Sequence, residues 1–118
     1  MTIYTKRIYE TPTDDDGYRI LVDQLWPRGM KKEAARIERW LKDIAPSTEL
    51  RKWYQHDPEK WPEFRRRYFE ELDQHPEIVN ELIKLVKEGK VTFLYSSTET
   101  RLNNASALKE YVENKLKV

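Results

Sequence analysis

The chain has no cysteine among its 118 residues. This excludes disulfide bonds, a thiolate nucleophile and cysteine-bound zinc or iron–sulfur centres. Long apolar stretches are also absent, so neither a signal peptide nor a membrane span is predicted. Only three glycines occur, and none belongs to a glycine-rich phosphate loop. We therefore expect a cytoplasmic protein that has no membrane partner.

Neither sign of charge is in large excess, because the chain has 22 basic and 21 acidic residues and a net charge of +1. The chain therefore has no overall positive potential that would attract nucleic acid. Nucleic acid is not a favoured partner, although the sequence does not exclude it. Hydrophobic residues make up 38% of the chain, and a chain of this length builds one core. The sequence predicts a single domain over residues 1–118 and does not specify an oligomeric state.

Three segments are predicted to be strands, at residues 3–9, 18–25 and 91–95. The second and third are almost continuously apolar, which is typical of strands buried on both faces. With the helical segments between them, they predict a small three-layer α/β domain whose short, mostly parallel central sheet is flanked by helices. The connection between the first two strands is short, so an antiparallel hairpin is an alternative for that pair.

Helices are predicted where apolar residues recur at helical spacing after a capping residue. The first two predicted helices cover residues 31–41 and Ser47 to Tyr54. A third begins at Asp57-Pro58, and its predicted core-facing residues are Trp61, Phe64, Tyr68 and Leu72. A fourth ends at Gly89, and a fifth is capped by Asn103.

The loop after the second strand carries the first candidate site. Pro27 and Gly29 shape the turn, and Arg28 between them is a planar donor suited to phosphate or carboxylate. Trp26 could stack on a base or close over a ligand, and Asp23 could be a hydrogen-bonding anchor or a general base. In the structural alternative, Trp26 fills the core and Arg28 pairs with Asp23 or another acid.

A second candidate segment follows the third strand and runs into the last helix. Ser96 and Ser97 offer hydroxyls, and Asn103 and Asn104 offer amides beside the free N–H groups of a helix start. Ligands of open parallel sheets gather beyond the carboxyl ends of the strands, where both candidate segments are predicted to lie. The alternative is ordinary capping and turn formation.

Arg51 and His56 are further candidates for the same place, with His56 as a proton carrier if the site is catalytic. The alternative for His56 is packing beside a helix cap. The two histidines lack the spacing of a metal pair on one helix face, so no metal is expected, and no other cofactor is implied. The arginine run at 65–67 is predicted to form a solvated face by pairing with Glu70 and Glu71.

Several motifs follow one another along nearly the whole chain. They include Leu25-Trp26-Pro27-Arg28-Gly29, the stretch 40–47, His56-Asp57-Pro58 and Asn103-Asn104-Ala105. In this combination the chain resembles the YeaO-like branch of the domain-of-unknown-function 488 family. The resemblance implies a small cytoplasmic α/β fold with no assigned activity. The family's recurring polar residues map onto Asp23, Trp26, Arg28, Gly29, Ser47, Arg51, His56, Asp57, Asn103 and Asn104.

The chain departs from the pattern of that branch within the presumed site. Gln24 stands where an arginine is usual, Thr98 where a lysine is usual, and Leu102 where a histidine is usual. Larger relatives carry a Cys-His-Arg element near the paired asparagines, and this chain has none of those three residues there. These departures weaken a phosphate-transfer or acid–base role.

Three functions are compatible with the sequence. The favoured one is binding of a small anionic ligand, phosphate-like or nucleotide-like, at the carboxyl ends of the strands. Whether that site is also catalytic is undecided. The second is a non-catalytic module that contacts a protein or nucleic acid, because arginine and tryptophan are common at interface hot spots. In the third, the shared motifs mainly specify the fold.

Overall fold

A four-stranded sheet forms the centre of the computed structural model, which describes residues 2–117. Its strands are β1 (Ile3–Arg7), β2 (Tyr18–Leu21), β3 (Arg39–Trp40) and β4 (Val91–Tyr95), in the spatial order β1-β4-β2-β3. All pairings are parallel, with Ile3 opposite Val91 and Ile20 opposite Phe93. The predicted parallel α/β architecture is confirmed. The hairpin alternative is wrong, because β4 lies between β1 and β2.

The segment predicted as one helix over 31–41 contains two different elements. Helix α1 (Lys32–Ala35) is a single turn that ends at Arg36, whose φ of 48° is left-handed. The chain then forms β3, which pairs with β2. Helical propensity does not reveal this pairing, because it depends on residues distant in the sequence. The first two strands also end earlier than predicted, at Arg7 and Leu21.

Four longer helices cover one face of the sheet. They are α2 (Thr48–Tyr54), α3 (Trp61–Asp73), α4 (Pro76–Glu88) and α5 (Asn104–Leu116). The predicted caps are confirmed: the Ser47 side chain accepts a hydrogen bond from the Leu50 N–H, and the Asn103 side chain accepts one from the Ser106 N–H. Asp57 caps a 3₁₀ turn over Pro58–Lys60 that leads into α3.

The central strands are buried on both faces, as their apolar sequence predicts. Ile20 and Phe93 contribute to a larger core that α2, α3, α4 and α5 complete. Leu21 and Leu94 contribute to a smaller core on the other face, against which Trp26 packs. In the predicted stripe of α3, Phe64, Tyr68 and Leu72 are buried in the larger core and Trp61 packs partly buried against it.

A buried ion pair lies beside the start of β2, and the sequence analysis missed it. The Asp16 carboxylate is 2.5 Å from the Arg19 guanidinium, and these residues are only 6% and 3% exposed. Lys6 Nζ also donates to Asp16 Oδ1 at 3.0 Å. Burial raises the pKa of Asp16, but hydrogen bonds from the Thr13 N–H, Lys6 and Arg19 outweigh it and lower that pKa to about 2. The carboxylate therefore stays ionised and links β1 to β2.

We expect the free energy of unfolding to fall as the pH decreases from about 4 towards 2, because the folded-state pKa of Asp16 is depressed. A carboxyl of this kind stabilises the fold above its unfolded pKa, and the stabilisation is lost as the pH falls through the folded pKa. The loss attributable to Asp16 is about 2 kcal/mol. Urea denaturation at a series of pH values measures it.

The comparison protein for this experiment is Asp16→Asn. Glu63 titrates in the same range, because hydrogen bonds from Arg66 and Arg67 lower its pKa to about 2. Since the wild type and Asp16→Asn share Glu63, subtracting their pH profiles isolates Asp16. Identical profiles for the two proteins would contradict the prediction.

Candidate functional site

A cleft of about 710 Å³ opens beyond the carboxyl ends of β2 and β4. Nine of the ten residues proposed from the sequence line it: Asp23, Trp26, Arg28, Arg51, His56, Ser96, Ser97, Asn103 and Asn104. Gly29 does not line the cleft, although it belongs to the same loop and has a left-handed φ of 76°. The two candidate segments meet here because β2 and β4 are parallel neighbours in the sheet.

Asp23 joins the two segments. Its Oδ2 accepts hydrogen bonds from the Ser96 N–H and the Ser96 hydroxyl, both at 2.8 Å. Its Oδ1 accepts one from the Asn104 amide at 3.1 Å, and that amide also donates to the Val22 carbonyl. Both carboxylate oxygens are therefore engaged with the chain itself. This is the arrangement of an anchor between β2, the loop after β4 and the start of α5.

Arg28 lies exposed at the cleft. Within residues 2–117 its guanidinium forms no ion pair and no hydrogen bond, so the alternative in which it pairs with Asp23 or another acid is wrong. Its backbone carbonyl accepts a hydrogen bond from the Tyr9 hydroxyl at 2.8 Å. The loop is thus fixed through its backbone, while the charged group stays available at the surface.

Arg51 is a half-buried cation on the same cleft. Its Nη2 donates to Gln24 Oε1 at 2.6 Å and lies 3.4 Å from Thr48 Oγ1. Its Nε is buried, and no group in the described part of the chain accepts a hydrogen bond from it. A buried donor without an acceptor costs about 1–3 kcal/mol. Arg51 is therefore held in place at one nitrogen and unsatisfied at another.

Trp26 and His56 differ in how much of each side chain packs against the rest of the protein. The indole N–H of Trp26 donates to the Met30 carbonyl at 2.7 Å, and its ring packs edge-on against Trp40 with centroids 5.4 Å apart. Trp26 therefore packs against the smaller core, as its structural alternative predicts, and also borders the cleft. His56 is exposed, and its ring centroid is 5.6 Å from that of Tyr54.

Positive charge dominates the cleft wall. Arg28, Arg51 and Lys52 line it, and the one carboxylate among the lining residues is the fully engaged Asp23. Sequence reasoning missed Lys52 and Tyr9 as lining residues. Lys52 lies within the stretch 49–54 that resembles the family, but nothing local distinguishes it from a solvated lysine. Tyr9 was predicted to lie in a strand that ends two residues earlier. The local excess of cations exists even though the whole chain carries a charge of only +1.

The arginine run at 65–67 lies outside the cleft and is neutralised by neighbouring acids. The ion pairs are Arg65–Glu110, Arg66–Glu63, Arg66–Glu70 and Arg67–Glu63. The predicted pairing with Glu70 is confirmed. The predicted pairing with Glu71 is wrong, because that carboxylate accepts hydrogen bonds from the Ser47 N–H and hydroxyl at 2.8 and 2.6 Å.

Residues 2–117 contain no group of three or more His, Cys, Asp or Glu side chains arranged to hold a metal ion. None of the helices in that range is long and apolar enough to cross a membrane.

The fold and cleft define a small parallel α/β domain with a cationic site at the carboxyl edge of its sheet. The chain belongs to the domain-of-unknown-function 488 family, because the model described as "Inactive DUF488-N3 subclade" matches residues 2–118. The uncharacterized protein YeaO of Escherichia coli (strain K12) is 41% identical over 114 residues, which span 97% of this chain and 99% of YeaO.

A second relative is the uncharacterized protein Rv3073c of Mycobacterium tuberculosis (strain ATCC 25618 / H37Rv). It is 40% identical over 109 residues, which span 92% of each chain. No solved structure matches the chain at a significant level. The resemblance to a YeaO-like branch is thereby confirmed, and the relatives' names assign no activity.

Proposed function

We propose that the protein binds a small anionic ligand, with a phosphate-like group, in the cleft and does not transform it. The observation that carries the proposal is the excess of cations on the cleft wall, which Arg28, Arg51 and Lys52 line. The one carboxylate of that wall, Asp23, is already hydrogen-bonded to Ser96 and Asn104. An anion that accepts hydrogen bonds from the cations would neutralise the local charge.

Two observations support binding without catalysis by Asp23. Asp23, the carboxylate of the cleft, already accepts three hydrogen bonds from Ser96 and Asn104. A general base needs a free acceptor directed at its substrate. The matching family model is moreover described as inactive.

The alternative of a protein- or nucleic-acid-binding module has less support. Each of the four tryptophans is at least partly buried. Trp53, for example, has the Arg67 guanidinium 4.4 Å from its ring centroid. The arginine run at 65–67 is paired with acids. The tryptophans and the arginine run therefore lack the free surface that an interface hot spot requires.

We expect the wild type to bind ribose 5-phosphate, and Arg51→Gln to weaken that binding roughly ten- to a hundredfold. A hydrogen bond to a charged group contributes about 1.5–3 kcal/mol, which corresponds to such a factor. Arg28→Gln is expected to act in the same direction. Isothermal titration calorimetry at low salt measures the dissociation constants, and the affinity should decrease as salt is added.

The matched control is Lys84→Gln, which removes one positive charge from the exposed surface of α4, outside the cleft. It should bind ribose 5-phosphate as the wild type does. Absence of binding to the wild type, or equal affinities for Arg51→Gln and the wild type, would refute the proposal.

A further inference from the structure

The size and lining of the cleft exceed what a phosphate group alone requires. A volume of about 710 Å³ lies in the range of sites for whole cofactors and drug-sized molecules. The cations of the cleft account for one part of a ligand, and the remaining wall includes apolar surface. Leu25, which is 66% exposed, contributes to that surface.

Tyr9 is the exposed ring among the tyrosine, tryptophan and phenylalanine side chains that line this cleft. Four tyrosine, tryptophan or phenylalanine rings line it, and three of them are largely committed to the core: Tyr54 and Phe64 are 4% and 2% exposed, and Trp26 packs against Trp40. Tyr9 is 41% exposed. A ring must present an open face to stack on a planar group, and among these four only Tyr9 combines exposure with a position on the cleft wall.

The ring of Tyr9 is also held in a fixed position. Its hydroxyl donates to the Arg28 carbonyl at 2.8 Å, and the Arg7 guanidinium carbon lies 5.2 Å from its ring centroid. Arg7 is itself anchored, since its Nε donates to the Ser97 carbonyl at 2.8 Å. A ring that is already fixed at its hydroxyl loses little further freedom when a planar group stacks on it.

We propose that the ligand is a nucleoside phosphate whose base stacks on Tyr9 while Arg28 and Arg51 hold its phosphate. This inference rests on the proposed function, because it assumes that the cations bind a phosphate. The hydrogen bond from Tyr9 to the Arg28 carbonyl makes these two residues neighbours on the cleft wall. That juxtaposition matches a molecule in which a planar base and a phosphate are joined by a sugar.

The test compares AMP with ribose 5-phosphate, which lacks the base. Stacking on an aromatic side chain contributes enough to make AMP bind roughly five- to a hundredfold more tightly to the wild type. Tyr9→Leu should abolish that advantage, so that AMP and ribose 5-phosphate bind this variant with equal affinity. Tyr9→Phe keeps the ring, and should keep the preference for AMP although it loses the hydrogen bond to Arg28.

The control is Tyr4→Leu, which removes an exposed tyrosine of β1 that is 48% exposed and does not line the cleft. It should retain the full preference for AMP. Nuclear magnetic resonance supplies a second measurement that needs no variant: the adenine H2 and H8 signals should shift upfield on binding to the wild type, as protons above an aromatic ring do.

The outcomes separate this inference from the proposal on which it rests. If ribose 5-phosphate binds and AMP binds no more tightly, the stacking proposal is overturned and anion binding stands. A Tyr9→Leu variant that weakens both probes equally would also overturn it, because the effect would then concern the loop around Arg28. If neither probe binds, both proposals are refuted.

Discussion

Asp16→Ala is expected to lower the free energy of unfolding by about 3–5 kcal/mol, the usual cost of removing one partner from a buried ion pair. The substitution leaves the Arg19 guanidinium, which is 3% exposed, without its carboxylate. Arg19 also donates to the Ala35 carbonyl at 2.7 Å, so it cannot leave its site without disturbing the segment around α1. Domains of this size are stable by about 5–15 kcal/mol, so the loss is a large fraction of the total.

Urea denaturation followed by far-ultraviolet circular dichroism measures this loss. The two preceding aspartates, Asp14 and Asp15, offer a matched control. Both are exposed, and neither forms an ion pair within residues 2–117. Asp15→Ala should change the free energy of unfolding by less than about 0.5 kcal/mol. Equal effects of Asp15→Ala and Asp16→Ala would show that the buried pair does not stabilise the fold.

Gly17→Ala is expected to cost about 2–5 kcal/mol, as the sum of backbone strain and a steric clash. Gly17 has a φ of 65°, which disfavours any residue with a Cβ. A Cβ at this position would lie 2.4 Å from the Lys90 carbonyl oxygen. That oxygen accepts the hydrogen bond from the Tyr18 N–H, so relieving the clash would separate the starts of β2 and β4.

Gly29→Ala separates the two contributions, because Gly29 also has a left-handed φ, of 76°, but a Cβ there would meet no atom within 4 Å. It should lose only the strain, about 1–2 kcal/mol. Thermal and urea unfolding of both variants give the difference, which measures the clash at Lys90 together with the extra strain from the ψ of −138° at Gly17. If the two substitutions lower the free energy of unfolding equally, the close packing of Gly17 against Lys90 does not contribute to stability.

Sequence reasoning was accurate where the determinants are local. Ser47 and Asn103 cap the helices they were predicted to cap, because a hydroxyl or amide needs only the N–H groups two or three residues later. β4 was predicted within its exact bounds from its continuous apolar run. β3 was missed, since two residues carry no pattern and the strand exists only through its pairing with β2.

The same distinction applies to the candidate site. Its residues could be predicted to converge, because polar groups at the ends of parallel strands share one edge of the sheet. The pairing of Arg51 with Gln24 and the exposure of Tyr9 could not be predicted, since each depends on how separate segments pack. Asp16 shows the limit most clearly: it is one of three consecutive aspartates, and only the fold makes it the buried one.

The place of β4 in the sheet has a consequence for folding kinetics. β4 is the last strand in the chain, yet it is the partner of both β1 and β2. On a ribosome, residues 3–7 therefore cannot pair with β4 until residues 91–95 have been synthesised. Such distant pairings slow folding, because the entropy of closing a long loop is lost before the stabilising contacts form. Until then the apolar β2 segment has only the two-residue strand β3 as a partner, on one edge. A nascent or truncated chain ending before Val91 should therefore be prone to aggregation.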